Sequence, residues 1–202
     1  DQETVFLVDQ SFKFLETAPA EWIHRKVVDL DTGTIRSIVF YRGSKAEPAY
    51  RLERQDKDAP FTLAAAASHA PLNTDKVGQV VEALSPLRTE DVLPADEPGR
   101  KVSFDGADRF EYHTADGRLY TIELGPSFSR QEETFTYARL EKSAAEGGKP
   151  QPASDTDKEA ETVASADDEL GKWIYVLSNW KNEDFIRDPQ KLLKTEDEGT
   201  KS

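Results

Sequence analysis

Three stretches of this sequence predict an α+β fold: an antiparallel, meander-like sheet with one main amphipathic helix packed on it and short flanking helices. Residues 109–125, RFEYHTADGRLYTIELG, read as a hairpin around Asp116-Gly117. That dipeptide is a strong turn signal, because glycine adopts the positive φ that tight hairpin turns demand. Phe110, Tyr112 and Thr114 alternate with Arg109, Glu111 and His113 on the first arm. Leu119, Thr121 and Glu123 alternate with Tyr120, Ile122 and Leu124 on the second. Side chains two apart share a face of a strand, so one set on each arm is buried and the other lies near water. Residues 34–42, TIRSIVFYR, form a second strand of high β-propensity, with Ile35, Val39 and Tyr41 on one face and Ile38 and Phe40 on the other. Both faces are expected to be covered. The main helix is predicted over 73–87, where Val77, Val80, Val81, Leu84 and Leu87 recur at three- and four-residue steps. Asn73 or Thr74 supplies the cap, Asp75 complements the helix dipole, and Pro86 and Pro94 help to stop it.

The remaining elements follow in chain order. Residues 4–8 (TVFLV) read as a short buried strand, and Pro19 opens a short helix through Trp22 and Ile23. Residues 26–34 (KVVDLDTGT) are an apolar run and a turn. Residues 50–54 (YRLER) alternate with Tyr50 and Leu52 inward, and 61–63 make a third strand. Residues 64–71 read as loop. After the hairpin, 135–140 (FTYARL) and 173–177 (WIYVL) pair as a second hairpin, its connection grown into a long acidic stretch. Residues 143–171 hold eight acids and two lysines and only Val163 and Leu170 as larger apolar residues. Such a segment buries too little surface to offset its ordering entropy. The organisation expected is therefore one α+β domain from 1–142 plus 172–194, a flexible acidic insert at 143–171, and a polar tail at 195–202.

Composition narrows the function classes. The net charge of −13 on 202 residues repels nucleic acid and anionic membrane surfaces. There is no cysteine, which removes disulfides, thiolate zinc sites and cysteine nucleophiles. There is no methionine either, so the chain reads as a fragment or processed form. No apolar run approaches the roughly 20 residues of a spanning helix, so the chain reads as soluble, and any anchor upstream is invisible in it.

The constellations that carry chemistry are sparse. In residues 27–35, VVDLDTGTI, Asp29 and Asp31 have the spacing of an aspartyl-phosphate phosphotransferase, nucleophile then general acid with Mg²⁺ between them. Thr32 stands one residue too many before Gly33-Thr34, and strand follows strand where that chemistry needs a parallel βα sheet. A plain turn before a strand is the simpler reading, and a metal-dependent phosphohydrolase the alternative. A calcium loop would need further ligands at the usual spacing. His24, His69 and His113 are far apart, no serine sits in a GxSxG elbow, and Gly147-Gly148 lies in the acidic insert. No catalytic, cofactor or metal residues are assigned. Trp173, Tyr175 and Trp180 concentrate aromatic surface near the C-terminus. They are core residues or, as the candidate partner-binding set, an anchor for a protein, a glycan or a peptide.

One internal echo runs between the ends. TVFLVDQSFKFL and WIHRKVVDLD are matched by KWIYVLSNWKNEDFIRDPQKLLKTE, each with an apolar strand, a polar turn, an aromatic-Ile pair and a paired aliphatic. A repeat architecture with an upstream copy is the expectation. With VFLVDQSF, WIHRKVVDLDTGTIRSIVFYR, YRLER, the 73–87 helix, the 109–125 hairpin, TYARL and WIYVLSNWKNEDF in this order, the chain resembles the C-terminal repeat of an uncharacterised bacterial family. Members of that family carry a domain of unknown function and are found beside gliding-motility-type ABC transporter auxiliary genes. The resemblance covers nearly the whole chain except the acidic insert, and supplies no catalytic residues. It implies an N-terminal membrane anchor, tandem α+β repeats on the periplasmic side of the inner membrane, and protein partners in the cell envelope, ABC transporter subunits among them. The expected function is a non-catalytic scaffold or partner-binding module.

Overall fold

A computed structural model describes residues 25–64, 71–96, 102–144 and 170–194. The N-terminal strand at 4–8, the short helix opened by Pro19, His24, His69, most of the acidic insert and the tail at 195–202 lie outside the described residues. The described strands are β1 (Lys26–Val28), β2 (Ile35–Tyr41), β3 (Tyr50–Glu53), β4 (Thr62–Ala64), β5 (Leu87–Arg88), β6 (Asp91–Pro94), β7 (Asp108–Thr114), β8 (Arg118–Arg130), β9 (Glu133–Ala144) and β10 (Trp173–Ser178). The helices are α1 (Thr74–Val81) and α2 (Asn179–Glu183). The fold is α+β: eight strands form one sheet in the order β4-β3-β2-β7-β8-β9-β10-β6, while β1 and β5 form a separate pair. Every pairing is antiparallel.

The β7–β8 hairpin follows the alternation of its sequence. Phe110, Tyr112 and Thr114 are buried on one arm, and Tyr120, Ile122 and Leu124 on the other. Gly117 takes φ +75° to turn the chain. The Thr114 hydroxyl accepts the Arg118 N–H at 3.1 Å and donates to the Asp116 carboxylate, which ties the turn to the strand end.

One face of the sheet carries the core. Ile38 and Phe40 of β2, Tyr50 and Leu52 of β3, Leu140 of β9 and Leu177 of β10 join the hairpin's buried set there. Phe110 is the centre of an aromatic cluster, 4.6 Å from Phe40 and 5.4 Å from Phe185 between ring centroids. Ile35 departs from its predicted face. A register shift between Ile35 and Ser37 makes a bulge in β2, and the extra residue turns Ile35 into the core with Ile38 and Phe40. Val39 is fully buried on the opposite face, so both faces of β2 are covered as expected.

Helix α1 lies over the core face with Val77, Val80 and Val81 buried. Asn73 caps it, its side-chain oxygen accepting the N–H groups of Asp75 and Lys76, each at 3.1 Å. The buried Tyr112 hydroxyl donates to the Val80 carbonyl at 2.9 Å and fixes the helix to β7. The helix predicted through residue 87 ends earlier. Residues Glu82–Leu84 tighten into a 3₁₀ turn, and Leu87 belongs to β5. Pro86 has no N–H for a helical bond and disfavours helical backbone at Ser85. Leu84 and Leu87 are nonetheless fully buried, which is why their spacing continued the stripe.

The two predicted C-terminal strands pair, Tyr175 opposite Ala138 and Leu177 opposite Thr136. The chain then straps back over the core with Phe185, Ile186 and Leu192 buried. The Tyr50 hydroxyl donates to the Ile186 carbonyl at 2.7 Å, and the Asn73 N–H donates to the Leu192 carbonyl at 2.8 Å. This strap closes the core next to the start of α1.

Candidate functional site

The three candidate aromatics part company. Tyr175 is 4% exposed and faces the core. Its hydroxyl donates to the Leu170 carbonyl at 3.1 Å, and burial pushes its pKa up to about 12. Trp173 opens β10 opposite Pro94 and is 36% exposed. Trp180 sits in α2, just past the other end of that strand, and is 59% exposed. A strand of six residues spans roughly 20 Å, so the two tryptophans belong to opposite ends and not to one surface.

Around Trp180 the polarity of the helix is inverted. Its neighbour Lys181 is 4% exposed, while the tryptophan faces water. The Lys181 Nζ is held 3.0 Å from Asp184 Oδ2 and lies 5.8 Å from the centroid of the Trp180 ring. On the exposed side, the Asn179 amide donates to Glu183 Oε1 at 2.8 Å. The indole is thus presented on a short helix whose Asn179 and Glu183 pair with each other and whose Lys181 and Asn182 are held by Asp184 and Arg187.

Asp29 and Asp31 stand exposed on either side of Leu30. Asp31 caps the 3₁₀ turn Thr32–Thr34, its Oδ1 accepting the Gly33 N–H at 2.8 Å. The Lys26 ammonium lies 3.3 Å from Asp29 Oδ2. The chain leaves this turn into antiparallel β2, so the strand-to-helix crossover that places such a pair over a phosphate is not built here. His113 lies in β7 with its Nε2 3.6 Å from Glu111 Oε2. Among the described residues, no three histidine, aspartate or glutamate side chains gather as a metal site.

A polar cleft lies at a place the sequence did not mark. A cleft of about 560 Å³ opens at one end of the sheet, between the turn before β7, a bulge in β8 and the strap after α2. Its walls include Asp105, Asp108, Gly125, Ser127, Asn182 and Arg187. The bulge arises because the β8–β9 register shifts between Leu124 and Ser127, at Gly125-Pro126. Proline has no N–H to give a ladder, and bulges are where strands accept it. Gly125 sits close under Phe104: a Cβ there would lie 3.0 Å from the ring, which would have to give by a few tenths of an ångström to admit it.

Arg187 is the centre of this cleft. Its Nε lies 2.9 Å from Asp108 Oδ2, and its Nη2 donates to Asn182 Oδ1 at 2.6 Å. The other Asp108 oxygen accepts the Gly43 N–H at 3.0 Å, and Arg42 donates to the Arg187 carbonyl at 2.6 Å. Burial pushes the guanidinium pKa down, and the Asp108 carboxylate pulls it back up. Arginine stays charged under both influences. A second, smaller cleft of about 360 Å³, lined by Lys76, Gln79 and Lys191 among others, lies on the other side of Arg187. Neither cleft is lined by Trp173, Tyr175 or Trp180. Asp108, Asn182 and Arg187 come from distant parts of the sequence, and only strand register and the strap bring them together.

A family model described as a domain of unknown function (DUF4340) matches residues 1–105, half of the chain. The chain belongs to the DUF4340 family. The match takes in β1 to β6 and α1 of this DUF4340 chain and stops before β7. Ser103 and Asp105 of the larger cleft fall within it, whereas Asp108, Asn182, Arg187 and the three aromatics lie beyond it. No curated protein and no solved structure matches the chain.

Proposed function

We propose that this chain is a partner-binding module, a non-catalytic scaffold piece of a membrane-anchored, ABC-transporter-associated protein. In this reading it is the C-terminal repeat of that protein and works on the periplasmic side of the inner membrane, with the anchor outside this chain. The observation that carries the reading is Trp180, 59% exposed on a helix that buries the adjacent lysine. Exposing an indole while burying an ammonium forgoes hydrophobic stabilisation within the chain. A partner that covers the ring recovers it, and tryptophan is the residue type most enriched among the few that dominate protein interfaces. Net charge supports a protein partner over nucleic acid. The resemblance to proteins found beside ABC transporter auxiliary genes supports transporter subunits as that partner.

The test is co-purification of the full-length, membrane-anchored protein from its native envelope, with partners identified by mass spectrometry. Transporter subunits are expected with the wild type, and a fall of about tenfold or more in their recovery with Trp180→Ala, since hot-spot truncations cost about 2 kcal/mol or more. Trp180 is solvent-exposed, so circular dichroism of the variant is expected to be unchanged. Equal recovery with both proteins, or no transporter subunit with either, sinks the proposal.

A further inference from the structure

The cleft around Arg187 faces away from Trp180. Asn182 lines it, and two residues apart on a helix lie about 200° apart, so the cleft and the indole occupy different sides of α2. Its volume, about 560 Å³, is that of a small-molecule site. Its chemistry decides what fits. Two carboxylates, Asp105 and Asp108, stand against the one guanidinium of Arg187, a local excess of one negative charge on a chain of net −13. An anion is therefore repelled locally and at long range. A cation finds little, because both oxygens of Asp108 are already occupied by Gly43 and Arg187. That leaves Asp105 as the lone carboxylate, and it is exposed.

What the cleft does present is a mixture of fixed donors and acceptors. Arg187 has five N–H groups, and three have no partner among the described residues. Arg187 lines this cleft and the smaller one alike, and its pairing to Asp108 and Asn182 fixes the guanidinium between them. The Asn182 amide nitrogen likewise has no partner among the described residues, its oxygen being taken by Arg187. The Ser127 hydroxyl, 2.9 Å from the Thr136 hydroxyl, and the Asp105 carboxylate add acceptors across the cleft. Adjacent hydroxyl groups on a ring both donate and accept, and carry no charge. Pro126, which is exposed, supplies apolar wall for the C–H face of such a ring.

We propose that this cleft binds an uncharged, hydroxyl-rich ligand, a saccharide unit, held by Arg187, Asn182, Ser127 and Asp105. The site does not rest on the docking role of Trp180, and either stands if the other fails. The experiment is an amide chemical-shift titration of the ¹⁵N-labelled chain with maltose, cellobiose and diacetylchitobiose in turn. Sodium acetate and ethylammonium chloride serve as charged probes. Saturable shifts centred on Gly106, Gly125, Ser127 and Asn182 are expected with at least one disaccharide. Asn182→Ala and Ser127→Ala are each expected to weaken that binding about five- to tenfold, the value of one lost hydrogen bond. Both variants are first checked for a wild-type amide spectrum away from the cleft. Because Ser127 does not touch Arg187's other partners, it keeps the test open if Asn182→Ala disturbs the strap. No saturable shift with any disaccharide, shifts centred elsewhere, or binding of acetate or ethylammonium in the sugars' place overturns the proposal.

Discussion

The two faces of the large sheet are made by the same strands and do different physical work. On the face under α1, β2, β7 and β8 present Phe40, Phe110, Tyr112 and Ile122, none of them exposed. On the other face the same strands present Tyr41, Arg109, Glu111 and Glu123. There the Arg109 guanidinium lies 4.2 Å from the centroid of the Tyr41 ring, and Arg139 of β9 is paired with Glu123 and stacked 5.1 Å from the Phe104 ring. One face removes apolar surface from water, while the other covers the strands with long side chains that pair with one another. Stability is expected to reside in the first and to be nearly indifferent to the second.

The largest effect should come from the centre of the buried face. Phe110→Ala removes the ring that touches both Phe40 and Phe185 and leaves a cavity. A loss of about 3–5 kcal/mol is expected, read as a fall in the urea midpoint with little change in slope. A loss below 1 kcal/mol would break the contrast between the faces.

An intermediate effect comes from the tyrosines of that face. Burial raises the hydroxyl pKa of Tyr175 to about 12, and those of Tyr50 and Tyr112 also rise. In the unfolded chain these phenols ionise near 10, while in the folded chain they keep their protons. Above pH 10 the unfolded state therefore holds fewer protons, and stability falls as pH rises. The contribution of Tyr175 is present in full below pH 10 and is lost between 10 and about 12. Chemical denaturation across that window should show a fall shallower by about one proton in Tyr175→Phe than in the wild type. Parallel curves would place the Tyr175 hydroxyl in water.

The smallest effect is expected on the paired face. Arg139→Ala breaks the contact with Glu123, yet its side chain is 39% exposed and that of Glu123 25%. Exposed pairs contribute about 0–1 kcal/mol, so its urea midpoint should stay close to wild type. A loss comparable to Phe110→Ala would show that the paired face carries the fold as much as the core does.

The same contrast explains what the sequence disclosed. The β7–β8 hairpin was legible because one side of each strand is dry and the other wet, which writes a period of two, and Asp116-Gly117 marks its turn. The helix was legible from its cap at Asn73 and from Val77, Val80 and Val81, but its end was not. Leu84 and Leu87 kept the apolar spacing after the backbone had left the helix. The turn from β8 to β9 was invisible, since Gln131 and Glu132 take φ of 52° and 68° without the glycine or asparagine that usually marks such positions. Strand β5 has only two residues, β6 sets Val92 and Leu93 side by side without alternation, and the bulge at Ile35 reversed a face that alternation assigns the other way. The cleft left no trace for a related reason. Asp108, Asn182 and Arg187 are ordinary polar residues in isolation, and their meeting depends on the strap docking after α2. For Trp180 the sequence leaves core and partner-binding roles open, and nothing local discloses that it points outward while Lys181 points in.

The position of β10 bears on how the chain is made. It lies between β9 and β6, so among the described residues β6, translated early, has no sheet partner until β10, translated late, is available. The strap that brings Phe185, Ile186 and Leu192 into the core is later still. During vectorial synthesis the β2–β3–β4 and β7–β8–β9 ladders can pair as they emerge from the ribosome, while α1 and β6 wait beside an unfinished sheet. The final strand and strap thus act as the closing stitch, and a nascent chain stalled before Trp173 keeps that edge of the sheet open to other strands in the cell.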